Sequence, residues 1–527
     1  MASASAAVVV WQTLHAVALY DVSFVLNTAA RIAMGDVPYR DFPLPYPPLT
    51  FVIQAALIKL FGAQYVVSAA YAVLLDAVAA LLTLAIVVRL VRDRWLAAAL
   101  CLPVVALGIH DVLPNAFYDA DATFVMLIDI LVALRLAERG AVRSWAIVGA
   151  ICPVVIIVKQ NSGLAYCLLM LAACGLALLR ERPRAIPWLA LGAAASVGVI
   201  GSVLQVTAGL ENVARWTVVL ASTRLASSPP LFTWLAEPIA LGALALLLGG
   251  ALLMRWGGPG KRLGPVIVAF PFVVLAASAM TEPGRLMLLL LWPVGLCAGV
   301  GAAGVAIARG GITLPRLLPF VVFGVATAAF LSQGVRGSTY SLWPLLIVAA
   351  AEPARLLHAD RPMLATRAVA GVIGACVLIA GLTYSLGEYR LGFVHLDGPV
   401  ASSTYPGLAG LAAPGPFVED VDEILRLVDK TVPAGDGIIS FPGEEPLFYA
   451  LGRRPRFPLV AFDFTVDPYA PAELTALRDA TGVRWVLVKR DLQLLGTPFN
   501  ATAKISALTD GFDLASSTFG YDLYRRR

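Results

Sequence analysis

Of 527 residues, 59% are hydrophobic and only 14% charged, against about a quarter charged in a soluble globular chain. Mean hydropathy is +0.82, and the net charge of +5 is carried in short arginine clusters between apolar runs. That pattern excludes a soluble enzyme and a nucleic-acid-binding surface, and it defines a polytopic, mainly α membrane protein. The six cysteines (Cys101, Cys152, Cys167, Cys174, Cys297, Cys376) all fall in apolar segments, so neither a disulfide framework nor zinc-ligand spacing is present.

In chain order, at about 20 apolar residues per crossing, helices are expected over 5–20, 65–88, 95–110, 120–136, 145–158, 162–179, 186–208, 231–254, 264–280, 286–308, 317–333, 340–356 and 368–386. That makes about thirteen crossings. Every second connection is arginine-rich: Arg89/Arg92/Arg94, Arg135/Arg139/Arg143, Arg180/Arg182/Arg184, Arg255/Lys261/Arg262, Arg309/Arg316 and Arg355/Arg361/Arg367. The positive-inside rule sets these in the cytoplasm. A cytoplasmic N-terminus follows, with the segment after Asp21, the regions of Asp119, Lys159, Arg285 and Arg336, and the whole C-terminal region facing outward. Ala16-Val17-Ala18 has the small-residue spacing of a signal-peptide cleavage site, but no basic residue precedes the first helix, so a retained helix is expected.

Past residue 390 the charge density rises and apolar runs shorten. Residues 417–430 show helical spacing through Val418, Val421, Ile424, Leu425 and Val428, and 437–441 and 483–489 read as buried strands. With a helix at 471–481 and short elements at 501–510 and 520–524, residues 391–527 form an expected small soluble α/β domain, following a transmembrane domain over 1–390. There is no internal repeat.

The chemistry-bearing residues gather on the expected outer side. Asp21 ends the first apolar run and is followed by Arg31, Asp36, Arg40 and Asp41, then by a proline-rich return over 43–48. Asp21 reads as a general base or as a helix terminator. Asp41 reads as a second acid or as a staple to Arg40. Asp119 and Asp121 straddle a helix start, where acids also favour the helix dipole. Asp76 and Asp129 lie inside spans and read as hydrogen-bonded packing residues, with proton relays as the alternative. Arg40, Lys159, Arg285 and Arg336 run against the orientation bias and are candidate phosphate ligands, the other reading being contact with lipid headgroups.

Asp21, then Gly35-Asp36-Val37-Pro38-Tyr39-Arg40-Asp41-Phe42, then Tyr46-Pro47-Pro48-Leu49 resembles the membrane-embedded GT-C glycosyltransferases, especially the branch with the RgtA/B/C/D-like domain, related to protein mannosyltransferases and lipid A aminoarabinose transferases. The segments 118–124, 159–163 and 444–457 are similar too. Val22 after Asp21 departs from the Asp-Glu of protein mannosyltransferases, which weakens the case for a protein acceptor.

The resemblance implies a GT-C membrane domain with an extracytoplasmic C-terminal domain, set in a plasma (bacterial inner) membrane. It implies transfer of a sugar, with inversion, from a polyprenyl-phosphate-linked donor to an acceptor hydroxyl on a cell-envelope glycan, lipid or protein. Asp21 would be the base, with Asp41, Asp119 and Asp121 as further acids, and Arg40, Lys159, Arg285 and Arg336 would supply the donor phosphate site. Asp119 or Asp121 would orient the acceptor or hold a divalent metal, which the residues do not decide. Membrane lipids are the expected surroundings. A secondary transporter and a non-catalytic envelope-assembly protein of the same fold are the alternatives.

The arginine alternation predicts that a reporter fused after Arg184 or Arg262 reads as cytoplasmic and one fused near residue 400 as external. A cytoplasmic reading near residue 400 overturns the orientation.

Overall fold

The computed structural model describes residues 1–222, 230–256, 260–333, 340–359, 363–463, 466–495 and 501–527. Apolar helices fill the chain up to Ser385. The first run is not one helix: α1 (Ala2–His15) and α2 (Leu19–Ala33) meet at 96°. A short α3 (Leu49–Phe61), which the 20-residue rule passes over, precedes α4 (Tyr65–Val91). Then come α5 (Arg94–Cys101), α6 (Tyr118–Arg139), α7 (Trp145–Val154), α8 (Gln160–Glu181) and α9 (Ile186–Thr207). Among the described residues six helices are long and apolar enough to cross a membrane, or seven with α1 and α2 taken as one bent span. The expected crossings recur as helices, but several are too short or too charged to span alone.

Where helices touch, small residues set the spacing. α7 and α9 cross so closely that a Cβ on Gly149 would lie 2.0 Å from the Leu189 carbonyl, and one on Gly192 would lie 2.0 Å from that of Ala146. With lipid outside as apolar as leucine, such close backbone packing is what holds helices together. The outer face of α9 shows Leu191, Val197, Val199, Val203 and Val206, all exposed, as suits a lipid-facing surface.

Acids inside the layer bond to neighbouring elements, though Asp129 Oδ1 is buried without a partner. Asp76 on α4 accepts from the Ser5 hydroxyl of α1 and from the Ile109 N–H at 2.9 Å, clamping the chain between α5 and α6. Asp129 accepts from Tyr166 at 2.9 Å and from the Cys152 thiol at 3.1 Å. These are packing bonds between helices. Four of the basic loops meet at one end of the layer: Arg89 approaches Glu138, Arg182 donates to the Leu136 and Gly140 carbonyls, and Arg367 pairs with Asp93 at 2.7 Å.

After Ser385 a hairpin of β1 (Val400–Ser402) and β2 (Ala412–Pro414) leads to an amphipathic helix, Phe417–Thr431, that buries the five apolar positions read from its spacing. A mixed sheet follows, in the order β3 (Gly437–Phe441), β4 (Val483–Lys489), β6 (Tyr521–Arg526), β5 (Phe512–Ser517). β3 and β4 run parallel, joined through helix Pro471–Ala480, and the last two strands are antiparallel.

This C-terminal layer sits on α2, and it also builds the break before α2. No side chain of the Ala16–Ala18 link caps α2. Instead Gln493 accepts from the Leu19 N–H at 2.7 Å and donates to the Val17 carbonyl at 3.0 Å, Val17 N–H donates to the Ala412 carbonyl at 3.0 Å, and Arg390 donates to the Ala16 carbonyl. Gln493 is held in turn by Glu444, which accepts its N–H at 3.0 Å while paired with Lys489 at 2.8 Å, both side chains fully buried.

Replacing Gln493 by Ala leaves the Leu19 N–H and the Val17 carbonyl unsatisfied, at about 1–3 kcal/mol each. A lower melting temperature in detergent is expected, partly restored by Gln493→Glu, which returns the acceptor alone. An unchanged melt shows that the break does not depend on this residue.

Candidate functional site

α2 turns 96° from α1 and packs against the C-terminal layer. Ser23, Asn27 and Arg31, at successive i+4 positions, all bond to that layer. Ser23 donates to the Glu444 carbonyl at 2.7 Å, Asn27 to that of Glu445 at 2.8 Å, and Arg31 to those of Phe457 and Pro458 at 3.0 and 2.8 Å. Asn27 also accepts the N–H groups of Phe448 and Tyr449 at the start of helix Leu447–Leu451. Asp36 closes the seam by pairing with both Arg31 and Arg454. The segment 444–457, singled out in the sequence, is therefore the docking surface for α2.

Asp21 stands in the first turn of α2, not in a loop, and its Oδ2 is buried without a hydrogen-bond partner. Burial pushes its carboxyl up to about 7, and the Asp463 charge adds to the rise. Phe24, one turn on, meets Tyr46 edge-on at 5.8 Å, and Tyr46 stacks on Tyr118 at 4.3 Å. The Tyr39 hydroxyl donates to the Tyr46 carbonyl at 2.8 Å, fixing the proline-rich return.

On the far side of the two tyrosines lies Lys159, its ammonium 4.2 Å from the Tyr118 ring centre and 3.0 Å from Asp119. Lys159 is the residue before α8 and Asp119 is in the first turn of α6, so two helix starts supply the pair. Gln160 donates to the Pro45 carbonyl at 3.0 Å, drawing the start of α8 onto the return segment. Asp21 and Asp119 both act electrostatically on the Tyr118 and Tyr340 hydroxyls. Of these residues Lys159 and Tyr118 are buried, while Asp21, Asp119, Tyr46 and Tyr340 are partly exposed.

The remaining sequence candidates sit elsewhere. Asp41 pairs with the exposed Arg40 at 2.9 Å and accepts from the Val37 N–H at 2.7 Å; the Arg40 hydrogen bond holds its carboxyl below the usual value. That is the staple reading. Asp121 accepts from Thr50 at 2.5 Å and Tyr71 at 2.8 Å, tying α6 to α3 and α4. Arg285 is half-buried in the first turn of helix Glu282–Gly310. Arg336 lies outside the described residues. Among the described residues no three His, Cys, Asp or Glu side chains gather to hold a metal ion, and Asp119 and Asp121 are taken up by the partners named above. Asp463 was missed from the sequence because it sits in an irregular stretch of the C-terminal region with no motif around it.

No family model matches the chain, and no curated protein matches it by sequence. Solved structures do. The Archaeoglobus fulgidus oligosaccharyltransferase, crystallised with zinc and sulfate, aligns over 93% of this chain and 67% of its own at 12% identity and a TM-score of 0.50; its apo form gives 11% identity and the same score. The chain has the GT-C fold. ArnT from Cupriavidus metallidurans in the apo state aligns over 99% of this chain and 96% of its own at 14% identity, with a TM-score of 0.47. Within the GT-C fold Asp21, the return segment and the Asp119–Lys159 pair stand at the end of the helical layer covered by the C-terminal sheet.

Asp121→Asn removes an acceptor shared by two hydroxyls, so it should act on stability, by about 1–3 kcal/mol. A thermal melt in detergent checks this, and an unchanged melt together with lost ligand binding places Asp121 in the site instead.

Proposed function

We propose that this protein is an integral-membrane glycosyltransferase that moves a sugar from a polyprenyl-phosphate-linked donor to an acceptor hydroxyl, with inversion, on the outer face of the plasma membrane. The observation that carries the reading is Asp21: a partly exposed side chain whose Oδ2 is buried without a partner and whose carboxyl burial pushes up to about 7, on the helix whose Phe24 meets Tyr46, with the buried Lys159 ammonium over the same tyrosine ring. A base whose proton affinity lies near the working pH is what general-base catalysis needs. The GT-C fold is consistent with this chemistry, although a fold by itself fixes no activity.

In the proposed reaction the acceptor hydroxyl gives its proton to Asp21 as its oxygen bonds to the anomeric carbon. The bond from that carbon to the phosphate oxygen breaks on the opposite face, and polyprenyl phosphate leaves. Lys159 takes up the charge growing on the phosphate. Its pairing with Asp119 and the two tyrosine rings keeps the ammonium in place before the donor arrives. Arg40 is exposed and tied to Asp41, which suits it to headgroup contact rather than to the leaving group. The acceptor belongs to the cell envelope, as a glycan, a lipid or a protein hydroxyl.

Asp21→Asn keeps shape and loses the base. Turnover should fall by ~10²–10⁴-fold while affinity for polyprenyl phosphate stays near wild type, and the rate of the wild type should rise with pH through about 7 as Asp21 loses its proton. Purified protein, a labelled lipid-linked sugar and a membrane extract as acceptor source suffice for the measurement. Near-normal turnover in this variant removes Asp21 as the base.

A further inference from the structure

The turn between α3 and α4 holds a cavity that the transfer site does not use. It encloses about 190 Å³, open at one side, between Leu26 of α2, Gln54 and Ile58 of α3, Gln64 and Ser68 at the start of α4, and Tyr449 of the C-terminal layer. Leu26 stands five residues beyond Asp21, ~140° around α2, so the cavity lies on the opposite flank of that helix. The C-terminal layer also holds the turn. Tyr65 N–H donates to the Gly407 carbonyl at 2.7 Å, and a Cβ on Gly407, at φ +87°, would lie 2.8 Å from the Ala63 carbonyl.

The polar lining points to a ligand oxygen. Ser68 donates to Gln54 Oε1 at 2.9 Å, which leaves the Gln54 amide nitrogen buried without a partner on a side chain only 2% exposed. An open buried donor is unfavourable until an acceptor reaches it. Gln64 is the N-cap of α4 and its side chain makes no cap bond, so the positive end of a 27-residue helix stands at the cavity wall. Lys59, beside Ile58 in the last turn of α3, is exposed and has no ion pair among the described residues.

The rest of the corner is apolar. Val52, Ala56 and Leu60 follow at i+4 along α3 and are all exposed, Leu60 at 74% with its neighbour Phe61 at 61%. With 13 residues α3 is too short to cross a bilayer, and a short helix with an open apolar stripe suits the lipid boundary. Acyl chains on that stripe would bring a lipid head to Lys59 and the cavity mouth.

We propose that this corner binds a phosphate-bearing lipid of the bilayer, separate from the polyprenyl phosphate of the transfer site. Its chains lie on the Val52–Ala56–Leu60 stripe, its phosphate meets Lys59 and the start of α4, and a headgroup oxygen accepts from the Gln54 amide. Tyr449 shares the cavity while its N–H is held by Asn27 of α2 at 3.1 Å, so an occupied site ties the α3–α4 turn to the docked C-terminal layer.

The test uses the full-length protein in detergent, titrated with a dioleoyl phosphatidylglycerol that carries a photoreactive diazirine, with cross-links mapped by mass spectrometry. Saturable labelling of residues 52–68 is expected, weakened about fivefold in Lys59→Ala, with dioleoylglycerol, which lacks the phosphate, competing about fivefold less well than phosphatidylglycerol. Gln54→Leu, which removes the open donor, should weaken labelling as well. Lys59 is exposed, so its variant carries the test should Gln54→Leu not fold. No saturable labelling of 52–68, or labelling that falls equally on the exposed face of α9, shows annular lipid only and overturns the proposal, as does equal competition by dioleoylglycerol. Displacement by undecaprenyl phosphate at lower concentration than by phosphatidylglycerol assigns the corner to the donor lipid and overturns the separation of the two sites.

Discussion

The break at Ala16–Ala18 is the constraint on which the rest of the structure depends. A helix that stops and turns through 96° leaves unbonded backbone groups, and in or near hydrocarbon these must be satisfied from within the protein. The link is alanine and valine and has nothing to offer. The bonds come from nearly 400 residues or more downstream, from Gln493, Arg390 and Ala412. Without the C-terminal layer the first apolar run has no reason to break, and α2 would have no partner for its polar face.

From that break the site follows in short steps. With α2 turned 96° from α1, its Ser23, Asn27 and Arg31 stripe meets residues 444–458, while Phe24 and Thr28 line the cavity with the return segment. Tyr46 on the return segment then reaches Tyr118, and Tyr118 reaches Lys159. Each contact is between elements distant in sequence, so the site exists only in the assembled molecule. The fully buried Glu444–Lys489 pair has a matching role: its Coulomb attraction offsets the loss of water, and it holds the backbone of Gln493 in register with the break.

The sequence made the periodic parts legible. Apolar runs predicted most helices up to Ser385, and the alternation of arginines predicted a common end for the basic loops, where Arg182 and Arg367 now bond across loops. The amphipathic helix Phe417–Thr431 and the strands at 437–441 and 483–489 were equally plain, since spacing alone specifies which face is buried. What hydropathy does not carry is a change of direction inside an apolar run: Ala16-Val17-Ala18 is as hydrophobic as its flanks, so α1 and the first residues of α2 read as one helix over 5–20 and the rest of α2 as the segment after it. The pairing of Asp41 with Arg40 was open to the sequence as one of two readings because the residues are adjacent. Asp119 with Lys159 was legible only as two charges on one side.

The contrast among the buried acids is what separates packing from chemistry. Asp76, Asp121 and Asp129 are each met by two or more donors from neighbouring elements, although both donors to Asp129 meet Oδ2 and its buried Oδ1 is unpartnered, and replacing one loosens the fold. Asp119 is met by an ammonium that also rests on an aromatic face, an arrangement that keeps a cation available to an incoming anion. Asp21 differs in that no side-chain or backbone donor meets its carboxylate among the described residues, whereas Asp129, which also keeps one open oxygen, takes two donors on the other. A protein at pH 7 leaves a buried carboxylate oxygen unbonded at a cost of about 1–3 kcal/mol, and setting another acid near it raises that cost further. Nothing in the packing of α2 calls for it, because Ser23, Asn27 and Arg31 already fix the helix. Under the proposed function, an acid kept open at such a cost is suited to a ligand that brings its own donor, and an attacking hydroxyl is such a donor.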